Sequence, residues 1–310
     1  RVCVDARGHG RRLTCRYHGW TYDADGKLVA AAHMDEGVDQ SELGLKTIAC
    51  ELIGGMIYIN FDENPSSLTD AKRELGACLE PFDLANAKVA HRQSYPINGN
   101  WKLAVENYCE CYHCGPAHPE YSRAHSIADP ANESEEAYTA MHERAVACGM
   151  ADVELDKKYN DAPAFGAGYG YSSYPLLRAH VTGSKDGTPL APLLGSLKDY
   201  FGGCTDIEVG PVTFGLIYPD HAVIYAFKPL GPQSADCDIT WLVRGDAEEG
   251  KDYKKDELIW LWDVTTQADK RIIERNAQGV RSRFYKPGPL SSMEGYSWAF
   301  LSWYLGVMGR

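Results

Sequence analysis

The sequence predicts an α+β fold in two parts: a small all-β domain over residues 1–62, and an α+β domain over residues 63–310 in which helices flank an antiparallel sheet. Three observations predict it. The first part consists of short strand-like segments separated by Gly- and Asp-marked turns. Strand and helix patterns alternate in the second part, and Lys254–Gly279 forms one long amphipathic stretch.

Composition excludes several classes of function. The chain has 310 residues, of which 44% are apolar and 24% charged, the balance of a globular protein. Acidic residues outnumber basic ones by 43 to 31, which argues against a nucleic-acid or anionic-membrane partner. The longest apolar stretch, about Leu52–Phe61, is too short to cross a bilayer. We therefore predict no membrane span and, by default, a cytoplasmic protein.

The sequence of the N-terminal part, residues 1–62, predicts short strands joined by tight turns. Strand-like segments occur at Arg12–Cys15, Trp20–Tyr22, Thr47–Ile53 and Met56–Phe61, with turns at Asp23–Gly26 and Gly54–Gly55. Asp62–Ser67 has the character of a linker, after which Ser67 or Thr69 is placed to cap a short helix at about Asp70–Leu79.

The second part begins with a strand at His91–Ile97 and a helix from Asn100 to His113, which the Gly115–Pro116 pair is expected to end. Residues 126–200 are rich in Gly, Tyr, Ser and Pro. This composition is more typical of loops that cover a site than of a packed core. Strand patterns return between residues 207 and 244. The long helix would end with Gly279 at its C′ position.

Cys15-Arg-Tyr-His18-Gly-Trp20 is the first segment that could bind a metal. A Cys and a His three residues apart on a tight turn can reach one ion, and the pair suits zinc or one half of an iron–sulfur centre. Such a centre needs four ligands, and Cys3 and His9 offer no matching second pair. Taken alone, a buried cysteine beside a surface histidine explains the segment equally well.

The second candidate segment is denser. Glu110 and His113 are three residues apart, a spacing expected to place them on one helix face. His113 and His118 are five apart, roughly 140° around a straight helix, so a single helix would not aim both at one ion. The break expected at Gly115–Pro116 removes this objection by placing His118 on the following turn.

Asp269 is the third candidate, on the same face of the long helix as Ile272, Ile273 and Asn276. A carboxylate on an apolar face is unfavourable unless it is paired, hydrogen-bonded or bound to a metal. Taken by itself, the helix favours an internal salt bridge. Together, the two histidines and this aspartate predict a two-histidine, one-carboxylate site, which leaves positions open for O₂ and suits non-haem Fe(II).

A competing hypothesis is a structural zinc knot. The chain has 10 cysteines, too sparse for a disulfide scaffold, and those beside histidines indicate reduced thiols, a metal or both. The knot would use Cys109, Cys111, Cys114, His113 and His118. Against it, thiols in this spacing on one helix would point in different directions, and no second knuckle supplies partner ligands.

Over essentially its whole length, the sequence resembles the oxygenase (α) subunits of Rieske non-haem iron oxygenases. Cys15-x-x-His18-Gly-Trp20 resembles the second half of the Rieske cluster motif, and the stretch from Asn100 to Pro119 resembles the mononuclear iron segment. Asp269 falls where the family places its iron carboxylate. The three segments occur in the family's order and at compatible distances.

The resemblance implies a 2Fe–2S Rieske cluster. Cys15 and His18 would supply two of its ligands, and Tyr17 and Trp20 would support the cluster loop. The other two ligands, a Cys-x-His pair, are absent from these 310 residues and would precede Arg1–Gly10, which resembles the loop joining the two halves. We expect the intact protein to carry that pair.

The resemblance also implies a mononuclear Fe(II) bound by His113, His118 and Asp269. Electrons from NAD(P)H would arrive through a separate flavin- and iron–sulfur-containing reductase, with O₂ as co-substrate. The short route would cross between neighbouring subunits of a homotrimer, with Glu110 hydrogen-bonded to the imidazoles of both centres. Asn107 would form a hydrogen bond near the iron.

The motif Glu-Asn-Tyr-x-Glu-Cys-Tyr-His-Cys-x-x-x-His-Pro, with Tyr285-Lys-Pro-Gly-Pro, is similar to the branch that acts on quaternary ammonium compounds, above all to glycine betaine demethylases. This similarity implies a monooxygenase that hydroxylates an N-methyl group and releases formaldehyde. Alternatives are carnitine, choline or another betaine as substrate, or an aromatic ring attacked by a dioxygenase. A small cation would need an aromatic cage, each ring contributing about 0.5–2 kcal/mol. Candidate rings are Tyr171, Tyr174, Phe214 and Tyr225.

Overall fold

The computed structural model describes residues 2–3, 8–35, 37–125, 135–152, 156–157, 168–177 and 179–309. The chain divides into two compact units, Arg1–Leu52 with Ile57–Ser67, and Ile53–Met56 with Leu68–Arg310. The loop predicted over residues 1–10 lies in part outside the described residues. In the described part of the chain, no helix is both long enough and apolar enough to cross a membrane.

The first unit is built from short strands. Strands β1 (Arg12–Thr14), β2 (Thr21–Asp23) and β3 (Leu28–Ala30) form an antiparallel sheet in that order. The predicted turn after β2 is confirmed, because Asp23 Oδ1 accepts hydrogen bonds from the backbone N–H groups of Asp25 (3.1 Å) and Lys27 (2.9 Å).

A hairpin follows, formed by β4 (Ala49–Ile53) and β5 (Met56–Asn60). Gly54 and Gly55 at its tip have φ angles of 54° and 79°, in the left-handed region. A two-residue hairpin turn with positive φ at both central positions favours glycine, because a Cβ atom would be strained there. The predicted turn is confirmed.

The second unit contains the remaining regular elements. Its helices are α1 (Thr69–Leu79), α2 (Trp101–Tyr108), α3 (Cys114–Ala117), α4 (Glu135–Cys148), α5 (Lys255–Gly279) and α6 (Gly295–Val307). Its strands are β6 (Lys88–Ile97), β7 (Asp156–Lys157), β8 (Tyr169–Pro175), β9 (Gly203–Val209), β10 (Thr213–Ile217), β11 (His221–Gly231) and β12 (Ser234–Val243).

These strands form one antiparallel sheet in the order β6-β12-β11-β10-β9-β8-β7. Buried and partly buried residues alternate along β12, with Ile239 and Trp241 in the core. Helix α2 packs against β11 and β12, and α5 packs against β6 and α2. The predicted α+β class, an antiparallel sheet flanked by helices, is confirmed.

The helix predicted from Asn100 to His113 is shorter than expected. Asn100 is its N-cap, accepting a hydrogen bond from the backbone N–H of Lys102 (3.0 Å), but the helix ends at Tyr108. Gly115–Pro116 lies inside α3 instead of ending a helix. Proline is tolerated in a first turn, because the N–H it lacks would have no intrahelical partner there. Glu110 and His113 therefore lie in the connection between α2 and α3, not on one helix face.

Three further predictions need correction. Helix α4 and strand β8 interrupt the region predicted as loops; α4 gives little apolar signal because its buried residues are only Met141, Ala145 and Cys148. The N-cap of α1 is Leu68, not Ser67 or Thr69. Helix α5 matches its prediction within one residue, but Gly279 is its last helical residue and has no positive φ.

Candidate metal centre

Two histidines and an aspartate from separate elements converge on one point. His113 precedes α3 and His118 follows it, while Asp269 projects from the middle of α5. The Nε2 atoms of the histidines are 3.1 Å apart. Asp269 Oδ1 lies 3.1 Å from His113 Nε2 and 2.9 Å from His118 Nε2.

This geometry fits a metal ion. Three donors about 2.1 Å from one ion, at right angles to one another, lie about 3.0 Å apart. All three measured separations agree with that value. The donor set, two imidazoles and one carboxylate on one face of the ion, is that of non-haem Fe(II) sites with open positions for O₂. The residues present therefore fit a mononuclear iron.

Glu110 holds His113 in position. Its Oε1 lies 2.6 Å from His113 Nδ1, while its Oε2 accepts hydrogen bonds from the backbone N–H groups of Tyr112 and His113. A carboxylate at Nδ1 keeps the proton on that nitrogen, so that the Nε2 lone pair faces the other two ligands. The Nδ2 atom of Asn107 lies 3.2 Å from the same Nε2.

The electrostatics of the cluster follow from these contacts. Burial lowers the pKa of His113, but hydrogen bonds with Asp269 and Glu110 outweigh it and raise the pKa to about 9. Burial raises the pKa of Asp269, and its hydrogen bonds to the two histidines reverse this, so that the net shift is downward. A metal that binds here competes with a proton for the His113 lone pair.

The cluster opens into an inner cavity of about 100 Å³. Its walls come from α2, the α2–α3 connection, β9 to β11 and α5. Besides the three candidate ligands, the lining residues are Asn107, Tyr108, Glu110, Cys111, Cys114, Tyr121, Asp206, Leu216, Tyr225, Trp262 and Thr265. An outer cavity of about 330 Å³ shares Tyr108, Glu110, Cys111, Tyr121 and Asp206 with it.

The structure places two of the four predicted cage rings on these walls. Tyr225 lines the inner cavity and Phe214 the outer one, whereas Tyr171 and Tyr174 line neither. The Tyr108 ring stacks on Phe214, with centroids 4.2 Å apart.

Three aromatic wall residues were not among the predicted cage rings: Tyr108, Tyr121 and Trp262. Trp262 precedes Asp269 by seven residues, two helical turns, so helical spacing from the candidate ligand could have found it. Asp206, also missed, lies on a buried strand and carries no such local signal.

Contrary to the prediction from the sequence, the cysteines near the candidate metal centre are not all reduced. Cys111 and Cys114 form a disulfide, so the prediction of reduced thiols is wrong for this pair. The zinc-knot hypothesis fails with it, because two of its thiolates are bonded to each other. Cys109 is a buried free thiol, and burial raises its pKa well above the usual value, which disfavours the thiolate that a metal requires.

Cys15 and His18 lie in a tight turn of the first unit. Backbone hydrogen bonds from Cys15 N–H to Trp20 C=O (2.8 Å) and from Gly19 N–H to Cys15 C=O (3.0 Å) close it. Tyr17 is 83% exposed and its ring contacts His18, so it does not pack into a core, whereas Trp20 is half-buried. One thiol and one imidazole on such a turn fit half of the donor set of a Rieske centre.

Comparison with known protein families gives a direct match. Residues 84–310 match the model of the ring-hydroxylating α subunit, catalytic domain. The matched segment contains His113, His118 and Asp269.

Curated relatives include two glycine betaine monooxygenase oxygenase subunits. That of Chromohalobacter salexigens is 33% identical over 99% of this chain and 69% of its own length. That of Pseudomonas aeruginosa strain UCBPP-PA14 is 35% identical over 98% of this chain and 71% of its own. The carnitine monooxygenase oxygenase subunit of Escherichia coli K12 is 28% identical over 88% of this chain and 63% of its own.

Solved structures share the fold. A quaternary ammonium Rieske monooxygenase in complex with L-carnitine aligns with a TM-score of 0.64 at 19% identity, over 100% of this chain and 75% of that one. Naphthalene 1,2-dioxygenase from Rhodococcus aligns with a TM-score of 0.56 at 17% identity, over 99% of this chain and 78% of that one.

Proposed function

The chain belongs to the family of ring-hydroxylating α subunits of Rieske-type oxygenases, and on this basis we propose that it is a terminal monooxygenase that hydroxylates an N-methyl group of a quaternary ammonium compound similar to glycine betaine. The observation that carries the proposal is the convergence of His113, His118 and Asp269 on a small cavity walled by aromatic rings. Its relatives include glycine betaine and carnitine monooxygenase subunits.

The reaction balances as follows. The substrate R₃N⁺–CH₃ reacts with O₂, two electrons and two protons to give R₃N⁺–CH₂OH and water. The carbinol then loses a proton from its hydroxyl group and breaks its C–N bond, so that the electron pair returns to nitrogen. The products are the amine R₃N, formaldehyde and a proton. The electrons come from NAD(P)H through a separate flavin- and iron–sulfur-containing reductase.

Each group in the site has a separate task. A mononuclear Fe(II) held by His113, His118 and Asp269 would supply the O₂-activating chemistry. Glu110 keeps the proton of His113 on Nδ1 and so leaves the Nε2 lone pair available for the metal. The Nδ2 atom of Asn107, 3.2 Å from that Nε2, is placed to form a hydrogen bond beside the metal.

Electron delivery would involve both units and a second copy of the chain. We assign Cys15 and His18 to a 2Fe–2S cluster, with its other two ligands contributed by a Cys-x-His pair, and Tyr17 and Trp20 to its surroundings. In a homotrimer, His18 of one subunit would reach Glu110 of the next, and electrons would pass from there to His113. The partly buried contact between Glu110 and His113, 2.6 Å long, supports the second half of this route.

The inner cavity, next to the candidate ligands, has room for a small head group, and the outer cavity of about 330 Å³ adjoins it. The volume of the inner cavity, about 100 Å³, is less than the roughly 150 Å³ of a cavity that binds benzene. A trimethylammonium group is such a small head group. Ring faces from Tyr108, Tyr121, Tyr225 and Trp262 are the surfaces that attract a cation without N–H donors.

A single turnover tests the proposal without the reductase. The iron-loaded, chemically reduced protein is mixed with glycine betaine and O₂, and formaldehyde is assayed. We expect formaldehyde close to one equivalent per active site. If the cluster is reoxidised without formaldehyde, the result would indicate carnitine, choline or another betaine as the substrate. Formation of a cis-diol from an aromatic compound would indicate a ring dioxygenase and contradict the proposal.

A further inference from the structure

Asp206 occupies an unusual position for a carboxylate. It lies in the middle of β9, an interior strand, opposite Ser172 of β8 and Leu216 of β10. Its side chain lines both the inner cavity and the outer cavity. A carboxylate in the centre of a sheet is unfavourable unless a partner compensates its charge.

Among the described residues, that partner is absent. The contacts of the Asp206 carboxylate are a long hydrogen bond from the Tyr174 hydroxyl, at 3.5 Å, and the Cys204 thiol, at 3.8 Å. Both groups are neutral. Burial raises the pKa of Asp206 to about 7, and these two weak donors only partly oppose that shift. By contrast, Asp269 has two imidazoles within 3.1 Å.

The described walls of both cavities carry several carboxylates, and positive charge there is limited to the histidine cluster, where the pKa of His113 is raised, and to a metal bound by that cluster. The carboxylates include those of Glu110, Asp206, Glu208 and Asp269, and among the described lining residues there is no lysine or arginine. Tyr108 and Tyr121 line both cavities, as Asp206 does, so the carboxylate and these two rings border the same space. An anion next to aromatic rings in a desolvated cavity attracts a permanent cation by direct charge attraction and by cation–π contact.

We propose that Asp206 is the counter-anion of the substrate's quaternary ammonium group and the residue that selects a cation over a neutral group of the same shape. The inference rests on the proposed function, because it assigns a specificity residue to that reaction. The substrate replaces the missing positive partner of Asp206. A neutral hydrocarbon would desolvate the carboxylate further and leave it unpaired.

A pair of ligands isolates the charge. Glycine betaine and 3,3-dimethylbutanoate have the same shape and carboxylate, but the second carries carbon in place of the charged nitrogen. Binding of both is measured by titration calorimetry under nitrogen, with iron-loaded wild-type protein, Asp206→Asn and Asp206→Glu. Asp236→Asn, the same substitution on β12 away from both cavities, is the matched control.

The two ligands should respond in opposite directions. We expect Asp206→Asn to weaken betaine binding by about 10- to 100-fold and to strengthen 3,3-dimethylbutanoate binding, because repulsion between two carboxylates is removed. Asp206→Glu should retain the preference for the cation, and Asp236→Asn should change neither affinity. Since Asp206 has no positive partner among the described residues, the melting temperature of Asp206→Asn should equal or exceed that of wild type.

Other results would overturn the inference. Equal losses for both ligands would indicate a general defect of the cavity, and unchanged affinities would show that Asp206 does not face the cation. A wild-type protein that prefers 3,3-dimethylbutanoate to glycine betaine would also contradict it. Formaldehyde release separates the two proposals. If wild type releases formaldehyde and Asp206→Asn keeps the wild-type preference for glycine betaine over 3,3-dimethylbutanoate, only the role of Asp206 is refuted. If that preference depends on Asp206 but no betaine yields formaldehyde, only the proposed reaction is refuted.

Discussion

Two clusters in the second unit combine aspartate with histidine, and they differ in how their atoms are satisfied. In the first cluster, Asp220 Oδ1 accepts hydrogen bonds from Thr182 (2.6 Å) and His221 Nδ1 (2.7 Å), and its Oδ2 accepts one from the Leu190 backbone N–H (2.8 Å). The side chains of Asp220 and His221 are fully buried. Each of these three contacts joins one donor to one acceptor, and the atom of the pair left without a hydrogen-bond partner among the described residues is His221 Nε2.

The cluster of Asp269, His113 and His118 is different. Both Nε2 atoms point at the same carboxylate oxygen and at each other, within 3.1 Å. With Nδ1 of His113 protonated toward Glu110, its Nε2 forms a hydrogen bond to Asp269 only when the ring carries a second proton, and the Nδ1 atom of His118 has no hydrogen-bond partner among the described residues. Asp269 is 23% exposed to the cavity. Such an arrangement is a poor hydrogen-bond network and a good set of metal ligands.

The comparison shows that residue type alone does not identify a metal site. Aspartate and histidine build a closed structural network in one place and an open, converging donor set in the other. Matched donors and complete burial indicate stability, whereas convergent lone pairs beside a cavity indicate chemistry. Variants of the two clusters should therefore fail in opposite ways.

Asp269→Ala should produce the largest effect of the set. Without the carboxylate, two histidines remain as ligands, so we expect iron to be lost and formaldehyde release to fall to background. The free energy of unfolding of the metal-free protein should fall by about 1–3 kcal/mol, because the change leaves the buried His118 without its hydrogen-bond partner. Iron content and urea unfolding measure the two quantities. Iron retained at one equivalent would contradict the ligand assignment.

Asp220→Asn should reverse that pattern. Each hydrogen bond to a buried charged group contributes about 1.5–3 kcal/mol, and the amide cannot accept all three hydrogen bonds of Asp220 with correct geometry. Urea unfolding measures the resulting loss of stability. The fraction of protein that remains folded should bind iron as wild type does, and a stable variant that lacks iron would break the distinction between the clusters.

Glu110→Gln tests the group that orients the metal ligand. We expect iron to remain bound while coupled turnover falls by about 10- to 100-fold, the usual effect of losing a carboxylate behind a ligating histidine. Steady-state formaldehyde release with reductase, together with iron analysis, provides the measurement. If iron is lost in parallel with activity, Glu110 supports only the structure of the site and not the proposed electron route.

Acid should affect the closed cluster more weakly than mutation does. Burial alone would raise the pKa of Asp220, but His221, Thr182 and the Leu190 N–H outweigh it and hold the pKa below its ordinary value of 3.8. Because the folded-state pKa is depressed, the stabilisation is present above about pH 4 and is lost as the pH falls through the folded value. The difference in unfolding free energy between wild type and Asp220→Asn should therefore narrow, without vanishing, as the pH falls below about 4. A constant difference across that range would contradict this origin of the stability.

Local sequence patterns predicted the elements that depend on local chemistry. The 3.6-residue periodicity of α5, the alternation along β12 and the two glycines of the β4–β5 turn were each sufficient, because these signals lie within one segment. Helix α4 escaped prediction because only three of its residues are buried, and two of them are small. The early end of α2 at Tyr108 has no comparable signal, since the residues after it remain compatible with a helix.

The sequence by itself determined the class of fold, the resemblance to Rieske oxygenases and the three residues proposed to bind iron, since each depends on residue types in a fixed order along the chain. Only the tertiary structure decided how those residues are arranged and what surrounds them. Tyr108, Asp206 and Trp262 reach one cavity from α2, β9 and α5, because sheet register and helix packing bring distant segments together. A residue's role as a wall, a counter-charge or a closed network depends on such neighbours, and no local pattern encodes them.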